Sequence, residues 1–131
     1  MSNMDESELC DTIKVDVKTA YLPNHSSPEE CRFVFAYTIT IRNVGETPTQ
    51  LLTRSWLITD ADGKVQEVHG DGVVGEQPHI PAGSYHSYSS GAVLETPVGT
   101  MEGTYGMLTN EGMLFNASIP LFRLAVPGVL N

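Results

Sequence analysis

Strict alternation of side-chain type over residues 32–43 constrains the fold more than any other feature of this sequence. Large apolar residues occupy every second position, namely Phe33, Phe35, Tyr37, Ile39 and Ile41. The positions between them carry mostly small or polar residues. Since successive side chains of a β-strand point to opposite faces, this pattern predicts a strand with one face in a core and the other towards solvent.

The same two-residue period recurs along the chain, whereas the 3.6-residue period of an amphipathic helix hardly appears. Ile13, Val15 and Val17 alternate with charged residues, and five further strands are predicted over residues 50–60, 65–69, 84–94, 99–108 and 113–124. Glycine, proline and Asp-Gly turn signals separate these segments. The pattern predicts an all-β protein, an immunoglobulin/fibronectin type III-like β-sandwich of seven or eight antiparallel strands.

The chain is long enough for one domain with one core. It has 131 residues, of which 40% are hydrophobic. We predict a single sandwich domain over residues 12–126, preceded by an acidic, flexible tail over residues 1–11. Residues 127–131 begin with Pro127-Gly128 and are predicted to form a C-terminal tail.

Charge and hydropathy exclude several classes of partner. The chain has 16 acidic and 7 basic residues, and a formal net charge of −9. Nucleic-acid binding depends on clustered Lys and Arg, so we expect no nucleic-acid partner. No apolar run reaches the roughly 20 residues of a membrane helix and no secretory signal opens the chain. We therefore expect a cytoplasmic protein without membrane insertion.

A glycine-rich segment is the first candidate binding site. It comprises His69, Gly70, Asp71, Gly72, Val73, Val74, Gly75 and Glu76. The glycine spacing matches the G-x-G-x-x-G dinucleotide fingerprint, which works where a strand leads into a helix N-terminus. Pro78 and Pro81 follow and disfavour such a helix, so we expect a loop over residues 70–83. A structural turn and a backbone nest for a pyrophosphate or nucleotide are the two interpretations.

Two adjacent valines in this loop, Val73 and Val74, suggest a second use for it. Both cannot easily point inward, so one could close the end of the sandwich while the other stays exposed. Arg54 and Trp56 form another candidate contact patch, because residues two apart on a strand share a face and both types are common in interface hot spots. Trp56 is also in phase with Leu52 and Ile58, which predicts an indole ring in or against the core.

Catalytic and metal chemistry are not indicated. His69, Asp71, His79 and His86 lie near the loop, but their spacing matches no metal-binding motif. The serines of residues 84–90 lie in an alternating strand pattern and form no G-x-S-x-G elbow. We expect no metal site, no cofactor and no enzymatic activity.

With these segments in view, the chain resembles the ApaG family from about Thr12 to Leu124. The resemblance rests on ordered motifs at residues 37–43 (YTITIRN), 50–60 (QLLTRSWLITD), 67–78 (EVHGDGVVGEQP), 94–97 (LETP), 99–103 (GTMEG) and 119–122 (IPLF). One departure is Pro81-Ala82-Gly83, where the family pattern has Pro-Gly directly.

The resemblance implies a fibronectin-like sandwich, in agreement with the strand pattern. Bacterial members are associated with cobalt and magnesium efflux or resistance. Similar domains in F-box proteins and in a DNA-polymerase-interacting protein look like protein-recognition modules. The leading hypothesis is therefore a non-catalytic protein-interaction domain, an accessory factor in cation homeostasis. A small-ligand binder that uses the glycine loop is the alternative, and the protein partner and self-association are left open.

Overall fold

The computed structural model of the chain describes residues 6–129. The elements in chain order are α1 (Glu6–Cys10), β1 (Ile13–Tyr21), β2 (Phe33–Asn43), β3 (Thr49–Asp60), β4 (Val65–Asp71), β5 (His79–Ile80), β6 (Tyr85–Leu94), β7 (Val98–Thr109) and β8 (Leu114–Ala125). Two single 3-10 turns, Pro23–His25 and Pro28–Glu30, lie between β1 and β2. The predicted all-β class and the number of strands are confirmed.

Two antiparallel sheets pack face to face. The smaller sheet has the order β1-β2-β6, and the larger has the order β4-β3-β7-β8 with β5 paired to β3. All strand pairs are antiparallel. Consecutive strands such as β3 and β4 form hairpins, whereas β2 passes to β3 and β6 passes to β7 across the two sheets. This arrangement is a sandwich of the predicted kind.

The alternating side chains of β2 form the centre of the core. Phe35, Tyr37, Ile39 and Ile41 are each at most 6% exposed. Trp56 of β3 is 4% exposed, and its ring contacts Tyr37 edge-on with centroids 5.5 Å apart. The predicted core position of Trp56 is therefore confirmed.

The prediction that Leu52 shares the inner face of β3 with Trp56 is wrong. Leu51 is fully buried, whereas Leu52 is half-buried. The β3–β7 register shifts between Leu51 and Thr53, which marks a β-bulge. Because a bulge inserts one residue, the side chains on either side of it change face relative to the simple alternation. Trp56 and Leu51 thus both point into the core despite their odd separation.

Residues 6–11 differ from the predicted flexible tail, and residues 1–5 lie outside the described part. Residues 6–10 form α1, and Leu9 is 6% exposed within the core. The Cys10 thiol donates to the Asn116 carbonyl oxygen over 2.7 Å. Just after α1, the Thr12 hydroxyl group donates a hydrogen bond to the Leu9 carbonyl oxygen. One buried leucine among acidic residues explains the difference, because its burial fixes the segment against β8.

The predicted loop over residues 70–83 begins later than expected. β4 continues to Asp71, with Gly70 paired to Arg54 and Asp71 paired to Thr53. The short strand β5 interrupts the segment at its other end. Gly70 continues the strand because its missing side chain leaves space for the Arg54 guanidinium, which would lie 2.8 Å from an added Cβ. Within residues 6–129, no helix has the length and apolar character needed to cross a membrane.

Candidate functional site

The glycine-rich segment ends β4 in a two-residue hairpin turn. The Val73 N–H donates to the Glu76 carbonyl oxygen over 2.8 Å, and the Glu76 N–H donates back to Val73 over 3.1 Å. The two residues between them have positive φ angles, +48° at Val74 and +78° at Gly75. Two consecutive positive φ angles are those of a type I′ turn, which matches the twist of an antiparallel hairpin.

This geometry does not favour the dinucleotide interpretation of the loop. The element that follows is the strand β5 and not a helix. The N–H groups of Gly72, Val73 and Glu76 already donate to carbonyl oxygens within the protein. At Gly72, φ is +65° and an added Cβ would lie 2.2 Å from the Glu76 carbonyl oxygen. Turn geometry alone therefore accounts for glycine at this position.

Three side chains hold the turn against β3. The Arg54 Nη1 donates to the carbonyl oxygens of Asp71 and Gly72 over 3.0 and 2.9 Å. Gln77 donates to the Leu52 carbonyl oxygen over 2.9 Å, and Gln50 donates to Gln77 over 3.1 Å. Neither glutamine was among the predicted site residues, because each bonds to a backbone carbonyl group 25 or 27 residues away, which local sequence does not indicate.

Val73 and Val74 occupy opposite environments. Val73 is 1% exposed and belongs to the core, whereas Val74 is 63% exposed at the tip of the turn. Asp71 and Glu76 on either side are exposed. A positive φ angle is a true outlier for a β-branched residue, and such strain persists where the surrounding structure imposes it. The turn therefore displays one apolar side chain, in a strained conformation, between two carboxylates.

Replacing Val74 with asparagine is expected to stabilise the protein, because asparagine tolerates this conformation and Asn-Gly is favoured in type I′ turns. We expect a gain of about 1 kcal/mol, or a rise in Tm of about 3 to 6 °C. Thermal unfolding followed by circular dichroism measures the shift. Val65→Asn, at a valine 52% exposed on β4, is the control and should bring no gain. A Val74→Asn variant no more stable than wild type would show that the turn is unstrained.

The candidate contact patch of Arg54 and Trp56 is largely turned away from solvent. Both lie on the inner face of β3, where Arg54 is half-buried and Trp56 is buried. The Trp56 ring packs edge-on against Tyr37, Tyr105 and Phe122. Its Nε1 is buried without a hydrogen-bond partner among the described residues. Arg54 therefore acts by positioning the turn, and Trp56 acts within the core.

A pair of tyrosines joins the two sheets beside Arg54. The hydroxyl groups of Tyr88 on β6 and Tyr105 on β7 are hydrogen-bonded to each other. Burial raises the pKa of Tyr88 to about 12, and burial also raises the pKa of Tyr105. Removal of either hydroxyl proton would leave a charge in the core, so burial keeps both hydroxyl groups protonated and neutral.

Stability is expected to decline at alkaline pH for this reason. The pKa of a tyrosine in an unfolded chain is about 10, below the values of Tyr88 and Tyr105 in the fold. The contribution of the two neutral hydroxyl groups to the free energy of unfolding is therefore complete below about pH 10. It is lost as the pH rises towards 12. Urea unfolding between pH 7 and 11 measures the decline, and Tyr88→Phe should make it shallower. An unfolding free energy that stays constant up to pH 11 would contradict the assignment.

The candidate metal ligands do not converge. The His69 Nδ1 lies 3.1 Å from the Ser55 hydroxyl, and its Nε2 lies 3.7 Å from Glu67. His86 stacks on Tyr88, and both residues lie on β6 of the smaller sheet, whereas His69 lies on β4 of the larger sheet. Over the part of the chain that the structure describes, no three His, Cys, Asp or Glu residues are grouped so that they could hold a metal ion.

Comparison with known proteins identifies the family. Residues 23–109 match the ApaG domain. The chain is 60% identical to Protein ApaG of Pseudomonas aeruginosa strain LESB58 over 119 residues, which cover 91% of this chain and 94% of the relative. It is 57% identical to Protein ApaG of Klebsiella pneumoniae strain 342 over 117 residues, 89% of this chain and 94% of the relative.

Solved structures agree with this assignment. An X-ray structure of a structural genomics target superposes with a TM-score of 0.89 and 55% identity over 93% of this chain and 92% of that one. The crystal structure of an ApaA protein from Bordetella pertussis gives a TM-score of 0.87 and 44% identity over 89% and 95%. The family indicated by the motifs from Thr12 to Leu124 is thus confirmed. The chain belongs to the ApaG family.

Proposed function

We propose that this chain is a non-catalytic protein-recognition domain that presents Val74 to a protein partner. One observation carries the proposal, namely that Val74 is 63% exposed while its backbone is strained at a φ of +48°. An exposed valine contributes nothing to the core that would offset this strain. Backbone strain of this kind is concentrated at binding sites and active sites.

The surroundings of Val74 support a protein partner. A small apolar centre with a polar rim is the usual composition of a protein interface, and here Asp71 and Glu76 supply the rim. The turn is held by Arg54 and Gln77, so the valine is presented with little loss of conformational entropy on binding. Loops displayed on a rigid sandwich are common recognition elements.

The proposal extends to the role of such an interaction. The family resemblance implies an accessory part in cobalt and magnesium homeostasis, and the domain would act in the cytoplasm through its partner rather than by holding the ion. The contacts of His69 with Glu67 and Ser55 support action through a partner, because these side chains offer too few ligands for a tight divalent-cation site.

The test is quantitative affinity capture from lysate of the source cell with matched variants as bait. Val74→Asp should lose at least one protein that wild type captures, and Val74→Asn should lose the same protein although it is the more stable variant. Val65→Asp is the matched control at the other end of β4 and should capture that protein normally. If all three variants capture the wild-type set in wild-type amounts, Val74 is not the contact and the proposal fails.

A further inference from the structure

β6 is an edge strand without the usual protection. Its ten residues include no Asp, Glu, Lys, Arg or Pro. The outer strands β1, β4 and β8 do carry such residues, as with Lys14 and Asp16 on β1, Glu67 on β4, and Pro120 on β8. Proteins usually place charges or proline on free edges because an unprotected edge pairs with other chains. An exposed edge that lacks them is suited to pairing.

Five residues of β6 present free backbone groups. The Asn43 N–H donates to the Ser84 carbonyl oxygen at the start of the β2–β6 register. Since hydrogen-bonded and non-hydrogen-bonded pairs alternate in an antiparallel ladder, the even-numbered residues of β6 bond to β2. The odd-numbered residues then direct N–H and C=O outwards, and they are Tyr85, Ser87, Ser89, Gly91 and Val93. All five are exposed.

Beside β6, the larger sheet extends further than the smaller sheet. Tyr37 of β2 contacts rings from both sides of β7, and Leu94 of β6 lines a cavity with Ile58 of β3. β2 therefore lies over β7. β6 lies over β7 where the Tyr88 hydroxyl group bonds to Tyr105, and over β3 and the start of β4 where Leu94 shares a cavity with Ile58 and Gln66. Beyond the contact at Gln66, no strand in residues 6–129 covers β4, whose seven residues are exposed apart from the half-buried Gly70. The smaller sheet thus lacks a strand opposite most of β4.

The inner face of β4 defines what such a strand would contact. Val68 is paired with Trp56 and therefore faces inwards, yet it is 38% exposed. Gln66, paired with Ile58, lies on the same face. A strand paired to β6 would place every second side chain over this surface, at the spacing of roughly 10 Å between packed sheets. Small apolar side chains suit those positions.

We propose that β6 binds one extended segment of a partner protein by strand addition, and that this segment fills the missing fourth position of the smaller sheet. The segment has small apolar residues at alternate positions. It is flanked by basic residues, because the chain that it joins has a net charge of −9. This surface is separate from Val74, so the inference does not rest on the function proposed above.

A second copy of the chain fits this space poorly. If two β6 strands paired about a two-fold axis, the β6 strand of each copy would lie over the β4 strand of the other. That same β6 strand already lies over β7 and β3 of its own copy, so β4 of the other copy would have to occupy the space that these strands fill. A single segment meets no such conflict.

The experiment selects binders from a phage-displayed library of random 12-residue peptides on the wild-type domain. Each peptide obtained is then titrated against Ser89→Lys and Ser89→Pro, which charge the edge or remove an outward N–H without breaking a backbone bond to β2. Both also remove the hydrogen bond between the Ser89 and Thr38 hydroxyl groups, so Ser89→Ala, which loses only that bond, is the matched control and should keep wild-type affinity. We expect the strongest peptide to lose about tenfold or more in affinity for both Ser89→Lys and Ser89→Pro. Ser118→Lys, at an exposed serine of β8, and Val74→Asp should keep wild-type affinity.

Two further measurements identify the mode of binding. In the complex, the amides of Ser87, Ser89 and Gly91 should become protected from hydrogen exchange. N-methylation of alternate peptide bonds of the binder should abolish binding for one of the two alternating sets and spare the other. The proposal is overturned if no peptide is selected, if Ser89→Lys and Ser89→Pro bind as wild type, or if these amides stay unprotected. Sedimentation that shows a wild-type dimer lost in Ser89→Lys would assign β6 to self-association and overturn it as well.

Discussion

Replacing Trp56 with alanine is expected to lower the free energy of unfolding by about 3 to 5 kcal/mol, the usual loss for a large buried aromatic residue. The indole ring is 4% exposed and contacts the rings of Tyr37, Tyr105 and Phe122 with centroids 5.5, 6.4 and 5.9 Å apart. These contacts join β3 to β2, β7 and β8, so the cavity would lie between the sheets. Stability of a domain this size is about 5 to 15 kcal/mol, so the variant would be marginal.

Urea unfolding followed by far-ultraviolet circular dichroism measures this loss. Trp56→Phe is the control, because phenylalanine keeps most of the ring contacts. It also removes an Nε1–H that is buried without a partner among the described residues, so no hydrogen bond is lost. The phenylalanine variant should therefore lose much less stability than the alanine variant. A loss below about 1 kcal/mol for Trp56→Ala would contradict the central position of the ring.

Replacing Val73 with aspartate is expected to cost about 3 to 5 kcal/mol, the range for an uncompensated buried charge. Val73 is 1% exposed and belongs to the same core as Leu51 and Ile80. The same substitution at Val74, which is 63% exposed, should leave the protein folded with a change of about 0.5 kcal/mol or less. Two neighbouring residues of one type thus give opposite outcomes.

Thermal and urea unfolding of the two aspartate variants, purified in parallel, measures this contrast. Val73→Asp reports on the base of the turn and Val74→Asp reports on its tip. Val73→Ala, which introduces no charge, should fall between them. Equal stabilities for the two aspartate variants would mean that the turn does not hold Val73 in the core.

The fold was predictable where the two-residue alternation of apolar side chains follows the regular pleat of a strand. The alternation of β2 corresponds directly to its pleat, so Phe35 to Ile41 could be assigned to the core from spacing alone. Leu52 could not, because a bulge inserts one residue and no turn or glycine signal accompanies it. Leu9 was missed since a single apolar residue in an acidic segment has no period to detect.

The candidate site was predictable in location but not in conformation. The glycine spacing identified the segment that became the turn, yet Val-Gly is an unusual pair for its two central positions. Contacts from Arg54 and Gln77 impose that conformation, and both come from outside the turn. The free edge of β6 depends on strand order, which local patterns do not encode. Its lack of charge over residues 85–94 was the one signal visible in the sequence.

Site-specific photo-crosslinking tests the proposed recognition role most directly. A photoreactive benzoyl-phenylalanine is placed at position 74 at the tip of the turn, and in a second sample at position 65 at the opposite end of β4. We expect irradiation in living cells to link the protein covalently to a discrete partner from position 74 and not from position 65. The same crosslinks from both positions, or none from position 74, would contradict the proposed recognition role.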